Sequence, residues 1–226
     1  MEQIKPGKFG VYYPADDFRT HFDILNEQIL MSGKEIDYLF IGDSITMHWN
    51  TNMFFSDLGH IENRGVGGDV TDIILKRSDA DVFQLKPKNT VYLAGINDLL
   101  TTCPDLWWKT NGADKDEVIK NIEKNIEEFI VKCKNNNIKA YICSVIPTDF
   151  CTPYNTFGLA DMVVVVNSLI KALCEKHNVV YVDYYSSLCQ EDKMTVIDGY
   201  TYDGVHPKFK GYEVMAKVLR EAIKSN

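Results

Sequence analysis

Tyr38-Leu39-Phe40-Ile41-Gly42-Asp43-Ser44 is an apolar run that ends abruptly in Gly-Asp-Ser. A buried strand reads this way, and the glycine permits a sharp turn into a following helix. Ser44 would then stand rigidly at the strand's carboxyl end, beside helix amides free to stabilise a developing negative charge. That is a good place for a nucleophile. It is also where an ordinary helix N-cap stands, and the heptapeptide alone does not choose between the two.

The same handover recurs along the chain. Apolar runs predict strands over 36–41, 60–63 (the weakest), 90–94, 139–145 and 179–183. Helical periodicity predicts helices over 44–58, 70–79, 114–136, 160–177 and 208–224, with an opening helix over 17–31 ahead of the first strand. The last is the clearest: Tyr212, Met215, Leu219 and Ile223 share one stripe while Lys217, Arg220 and Lys224 face away. Strands alternating with crossover helices imply an α/β fold with a mainly parallel sheet. No repeat, low-complexity tract or linker divides the chain, so residues 1–226 are expected to form a single domain, with 1–35 as an N-terminal extension carrying a helix. Two irregular stretches, 101–112 and 147–158, follow predicted strands at the edge where open parallel sheets bind ligands.

Composition narrows the function. A hydrophobic fraction of 45%, a charged fraction of 25% and a net charge of −8 describe an ordinary globular protein without the basic field that nucleic acid or anionic membranes require. The longest aliphatic run, Met162 to Val166, is too short to span a bilayer, and the first residues lack the apolar stretch of a secretory signal. A cytoplasmic location is expected. Cys103, Cys133, Cys143, Cys151, Cys174 and Cys189 show no zinc spacing and read as reduced, mostly core thiols. An exposed apolar helix face leaves room for a homo-oligomer, although no heptad directs one.

Three further motifs sit at the same sheet edge. Asn63-Arg64-Gly65-Val66-Gly67-Gly68-Asp69 has glycines that let backbone approach a ligand, but Val70 stands where a dinucleotide fingerprint needs its third glycine. A glycine-rich turn with Asp69 as helix N-cap is the plainer reading. Val91-Tyr92-Leu93-Ala94-Gly95-Ile96-Asn97-Asp98 ends another strand and offers an Asn amide as donor, or simply a turn. Tyr202-Asp203-Gly204-Val205-His206-Pro207 places a carboxylate near an imidazole just before the last helix. With the Gly42-Asp43-Ser44 motif, the four together supply a serine, two oxyanion donors and an Asp/His pair, the parts required for acyl transfer. His48, four residues after Ser44, is a rival base. His21, His60 and His177 lack partner motifs, and Asp198, Asp203 and His206 find no matched ligands, so no metal site is expected.

The order Gly42-Asp43-Ser44, Gly68, Gly95-x-Asn97-Asp98 and Asp203-x-x-His206 resembles the SGNH hydrolases, the GDSL esterase/lipase family, over nearly the whole domain from Ile36 onward. The 63–69 block resembles that of the platelet-activating-factor acetylhydrolase-like acetylesterases. The resemblance implies a flavodoxin-like three-layer α/β/α fold with a five-stranded parallel sheet in the order 2-1-3-4-5. It implies Ser44 as nucleophile, His206 as base, Asp203 as its partner, and an oxyanion hole built by Ser44, Gly68 and Asn97. The expected activity is serine-esterase hydrolysis of short-chain, chiefly acetyl, small-molecule esters without a cofactor, on a carbohydrate if Trp107 and Trp108 stack on a sugar. Asp43, Asp69, Trp107 and Trp108 are candidates to line the substrate. The alternatives are a longer-chain lipase or thioesterase of the same family, and a flavodoxin-like binding module without catalysis. The segment before Ile36 belongs to none of the family's blocks.

Overall fold

The computed structural model describes residues 3–10, 13–103, 112–149, 158–191 and 194–226. The predicted runs become β1 (Tyr38–Gly42), β2 (Ile61–Gly65), β3 (Asn89–Leu93), β4 (Lys139–Cys143) and β5 (Val180–Val182). They pair in parallel in the order β2-β1-β3-β4-β5. Between them run α1 (Pro14–Ser32), α2 (Ser44–Met47), α3 (Thr51–Phe55), α4 (Thr71–Asp81), α5 (Ile96–Leu100), α6 (Lys115–Asn135), α7 (Leu159–His177), α8 (Tyr184–Leu188) and α9 (Phe209–Ser225).

Both sheet faces are covered. Phe40 lies opposite Val91 while Tyr92 lies opposite Ile41, so Phe40 and Tyr92 point to opposite faces. The Phe40 ring stacks on Phe55 of α3, and the Tyr92 ring meets Phe129 of α6 at 4.7 Å. Helices α3, α8 and α9 therefore pack on one side, and α1, α4, α6 and α7 on the other. This gives the three-layer α/β/α arrangement, and it explains why β1 is buried along its whole length. No helix among the described residues is long and apolar enough to cross a membrane.

The helix expected over 44–58 is broken. The chain leaves helical geometry after Met47 and restarts at Thr51, with the Asn50 side chain accepting from the Met53 amide; a 3-10 turn over Ser56–Leu58 follows. Helical period alone misses this, because the break is stabilised from outside. Asn63 of β2 donates to the carbonyls of Thr46 and Trp49 at 2.8 and 3.1 Å, pairing acceptors that a continuous helix would have used itself. The break turns Trp49 into an aromatic cluster with Phe40, Phe55, Tyr184 and Tyr212. Other boundaries agree to within three residues, and the short α5 and α8 have no sequence-based counterpart.

Helix α1 is not a loose extension. Pro14 opens it and Gly33 closes it at φ 65°, a left-handed position that suits glycine. Its buried stripe is Ala15, Arg19, Phe22 and Asn26. Phe22 and Ala15 join Val66 and Ile73 in a small second core. Arg19 forks onto Asp81 of α4 at 2.6 and 3.1 Å, while Asn26 donates to Asp81 and accepts from Arg64 of β2. Burying charges of this kind is tolerable only because each is paired and hydrogen-bonded.

Candidate active site

The carboxyl ends of β1, β2 and β3 meet closely. A Cβ on Gly42 would overlap the Leu93 carbonyl and the Thr46 hydroxyl, so glycine is required for this approach. Beneath the junction lies the Arg77 guanidinium from α4. It donates to the carbonyls of Gly42 and Arg64 at 3.1 and 2.8 Å, and to the carboxylates of Asp69 and Asp81 at 2.7 and 3.1 Å. One fully buried side chain thus ties the end of β1 to the loop after β2 and, through Asp81, to Arg19 of α1.

Ser44 is the first residue of α2, only 7% exposed, with Asp43 as N-cap. Its Oγ lies 2.8 Å from His206 Nε2, and His206 Nδ1 lies 2.7 Å from Asp203 Oδ2. The histidine turn is held by its own residues and by β4. Asp203 Oδ1 accepts from the amides of Val205 and His206, and the Tyr202 amide donates to the His206 carbonyl. The Thr148 hydroxyl, in the loop after β4, donates to the Gly204 carbonyl at 2.7 Å. Burial alone would raise the Asp203 carboxyl. The His206 amide and imidazole and the Val205 amide outweigh it and hold the group below its usual range.

Three residues that carry donors line the same space. The Ser44 amide stands at a helix start, where no intrahelical acceptor exists. Gly68 follows β2 at φ 81°, a left-handed conformation. Asn97, the second residue of α5, gives one Nδ2 proton to the Asp69 carbonyl at 3.0 Å; its amide has a second proton to give. Ser44, Gly68, Asn97, Leu100, Val205 and Pro14 line a cavity of about 430 Å³. The walls beyond the reacting end are largely apolar, and Pro14 brings α1 into the site.

The acids nearby are unusual. Asp43 is fully buried; its Oδ1 accepts from the Ile45 amide at 2.9 Å, and its Oδ2 has no partner among the described residues. Burial, helped by the charges of Asp69 and Asp98, pushes this carboxyl up to about 7. Asp69 is raised to about 6 because burial outweighs Arg77, and Asp98 to about 6 because burial outweighs two bonds from Thr71.

The structure therefore brings Ser44, Gly68, Asn97, Asp203 and His206 to one place. Asp43 and Asp69, expected at the substrate, instead lie beneath it at 0% and 1% exposure. Asp69 does not cap α4, whose N-cap is Val70, because its carboxylate is taken by Arg77. His48 is exposed, its ring edge-on to His206 at 5.8 Å between centroids, while the Ser44 hydroxyl bonds to His206. His60 and His177 pair with Glu62 and Glu127. Trp107 and Trp108 lie outside the described residues. Arg77 is a structural residue of the site that the sequence motifs do not include. Its spacing of four from Asp81, on the apolar face of α4, was the available signal.

A model of the GDSL-like Lipase/Acylhydrolase family matches residues 40–214, from β1 into α9. A search of the curated proteins finds no match. Among solved structures the chain is similar to a GDSL-like lipase from Bacteroides thetaiotaomicron, with 25% identity, 91% of this chain and 97% of that chain covered, and a TM-score of 0.75. It also resembles a catalytic mutant of Axe2, an acetylxylan esterase from Geobacillus stearothermophilus, with 19% identity, 82% and 93% covered, and a TM-score of 0.65. At that identity the likeness concerns the fold.

Proposed function

Because the chain belongs to the GDSL-like lipase/acylhydrolase family and is a carboxylic ester hydrolase, we propose that it cleaves short-chain esters, acetyl esters foremost, through an acyl-serine on Ser44. The observation that carries this reading is the continuous relay from Asp203 through His206 to the Ser44 hydroxyl, opening into a cavity that also holds Gly68 and Asn97. His206 Nε2 takes the hydroxyl proton as Oγ adds to the ester carbonyl. The amides of Ser44 and Gly68 and the side chain of Asn97 stabilise the oxyanion. The tetrahedral species collapses, the alcohol leaves with the proton from His206, and the acyl group stays on Ser44. Water, deprotonated by the same imidazole, then adds to the acyl-serine, and the acid departs as Oγ recovers its proton. Asp203 keeps the imidazole oriented and stabilises its cationic form.

A space of this size, shared with the reacting centre and walled by Leu100 and Val205, favours a short acyl group over a fatty one. The fold-level likeness to an acetylxylan esterase points the same way. Buried free thiols such as Cys133 and Cys143 suit a reducing compartment, which supports a cytoplasmic location. The test is hydrolysis of p-nitrophenyl esters from acetyl to octanoyl by wild type and Ser44→Ala. Turnover should fall by about a millionfold in the variant, and the rate should be highest for acetyl. Retained activity removes Ser44 as nucleophile, and a maximum at octanoyl removes the acetyl preference.

A further inference from the structure

A second hollow lies against the same histidine. A groove of about 480 Å³ runs from His48 and His206 past Asn50 and Phe54 to Tyr202 and Phe209. It shares His48 and His206 with the cavity that holds Ser44, so the two spaces meet at the imidazole. The chemistry of ester cleavage assigns them different parts of the substrate. The acyl carbon must sit at Ser44 Oγ with its oxygen among the Ser44, Gly68 and Asn97 donors. The alcohol oxygen must receive its proton from His206 Nε2, so the leaving group lies on the histidine side.

The walls of the groove describe that leaving group. Tyr202 is 76% exposed and Phe209 57% exposed, a poor use of large apolar rings unless something covers them. Phe54 backs Phe209, with centroids 5.5 Å apart, and Tyr212 backs Phe54 at 6.4 Å. The Tyr212 hydroxyl is already committed to the Ile45 carbonyl. Polar groups stand at the other end: the exposed His48, and Asn50, whose Oδ1 caps the Met53 amide and whose Nδ2 carries two donor protons. A fatty alcohol calls for an enclosed apolar channel, and an anionic headgroup for several cations. Among the described residues, the cation against the Tyr202 ring is Lys208, its Nζ 5.5 Å from the centroid. Open rings beside amide and imidazole donors suit a molecule with one apolar face and hydroxyls around its edge.

We propose that this groove is the alcohol subsite and that the alcohol is a sugar, so that the enzyme deacylates O-acylated carbohydrates with the sugar ring stacked against Tyr202 and Phe209. The proposal rests on the esterase reading, and the experiment separates the two. Initial rates are measured in a pH-stat on methyl acetate, whose alcohol is too small to reach the groove, and on tetra-O-acetyl-xylose. Wild type should prefer the sugar acetate in kcat/KM by at least about tenfold, each aromatic contact contributing a factor of about two to ten. In Tyr202→Ala/Phe209→Ala the ratio of the two kcat/KM values should fall about tenfold, mainly through KM, and Tyr202→Trp/Phe209→Trp should keep it within about twofold. A general loss of stability would lower both rates together and leave the ratio alone. Cleavage of methyl acetate with no preference for the sugar, or a ratio unmoved in the alanine variant, overturns the subsite and leaves the esterase standing. Silence of the wild type on both esters overturns both.

Discussion

Replacing Asp43 with asparagine removes a buried charge from directly beneath Ser44 while keeping the side chain's shape. The Oδ1 of Asn can accept from the Ile45 amide as Asp43 does, so the start of α2 should persist. What changes is the second oxygen, which has no partner among the described residues. Burial, with Asp69 and Asp98 adding their charges, raises the carboxyl from 3.8 to about 7. An acid raised on folding contributes stability that is complete below its unfolded value near 3.8 and is lost as pH rises through about 7. The interval corresponds to up to about 4 kcal/mol at pH 8. Asp43→Asn should therefore be more stable than wild type by up to about 4 kcal/mol at pH 8, with the difference shrinking towards zero at pH 4. Denaturant unfolding followed by tryptophan fluorescence from pH 4 to 8 measures it. Asp69 and Asp98, each raised to about 6, leave some slope in both proteins in the same direction. Parallel stability profiles for the two proteins would refute the reasoning.

Asn97→Ala should lose about a hundredfold or more in kcat with little change in KM, since one oxyanion donor contributes about 3 kcal/mol in the transition state; steady-state kinetics with unchanged turnover would take Asn97 out of the hole. Arg77→Met should destabilise the protein by about 3–5 kcal/mol, because it leaves buried Asp69 without its ion partner and removes the guanidinium bonds to the Gly42 and Arg64 carbonyls. Urea melts at pH 8 check this, and a loss below about 1 kcal/mol would mean that the buried guanidinium ties nothing together.

Much of this architecture was legible because strand and helix signals are local. Apolar runs such as Tyr38 to Ile41 and Lys139 to Cys143 each carry their own evidence, and alternation with helices dictates parallel pairing. The four blocks that converge at Ser44 were also visible, since each sits at the end of a strand or just before a helix. What escaped depends on partners distant in sequence. The break after Met47 is stabilised by Asn63, and Arg77 acquires its role only once Gly42, Arg64 and Asp69 surround it. The groove joins His48 and Phe54 to Tyr202 and Phe209, residues with no shared periodicity. The opening helix belongs to none of the motif blocks, yet its Pro14 forms part of the cavity wall and its Arg19 reaches the ion pairs under the serine.

The bond between Ser44 and His206 spans 162 positions. During synthesis the proposed nucleophile emerges early, directly after β1, and its base is added only after β2, β3, β4 and β5 have been made. Throughout that interval the hydroxyl is an ordinary alcohol that no imidazole can deprotonate. The tyrosine that pins the Ile45 carbonyl, Tyr212, arrives later still. An unfinished chain on the ribosome thus carries no esterase to act on the acylated molecules around it, and the appearance of turnover in a stalled or truncated series would report when the final helix has docked.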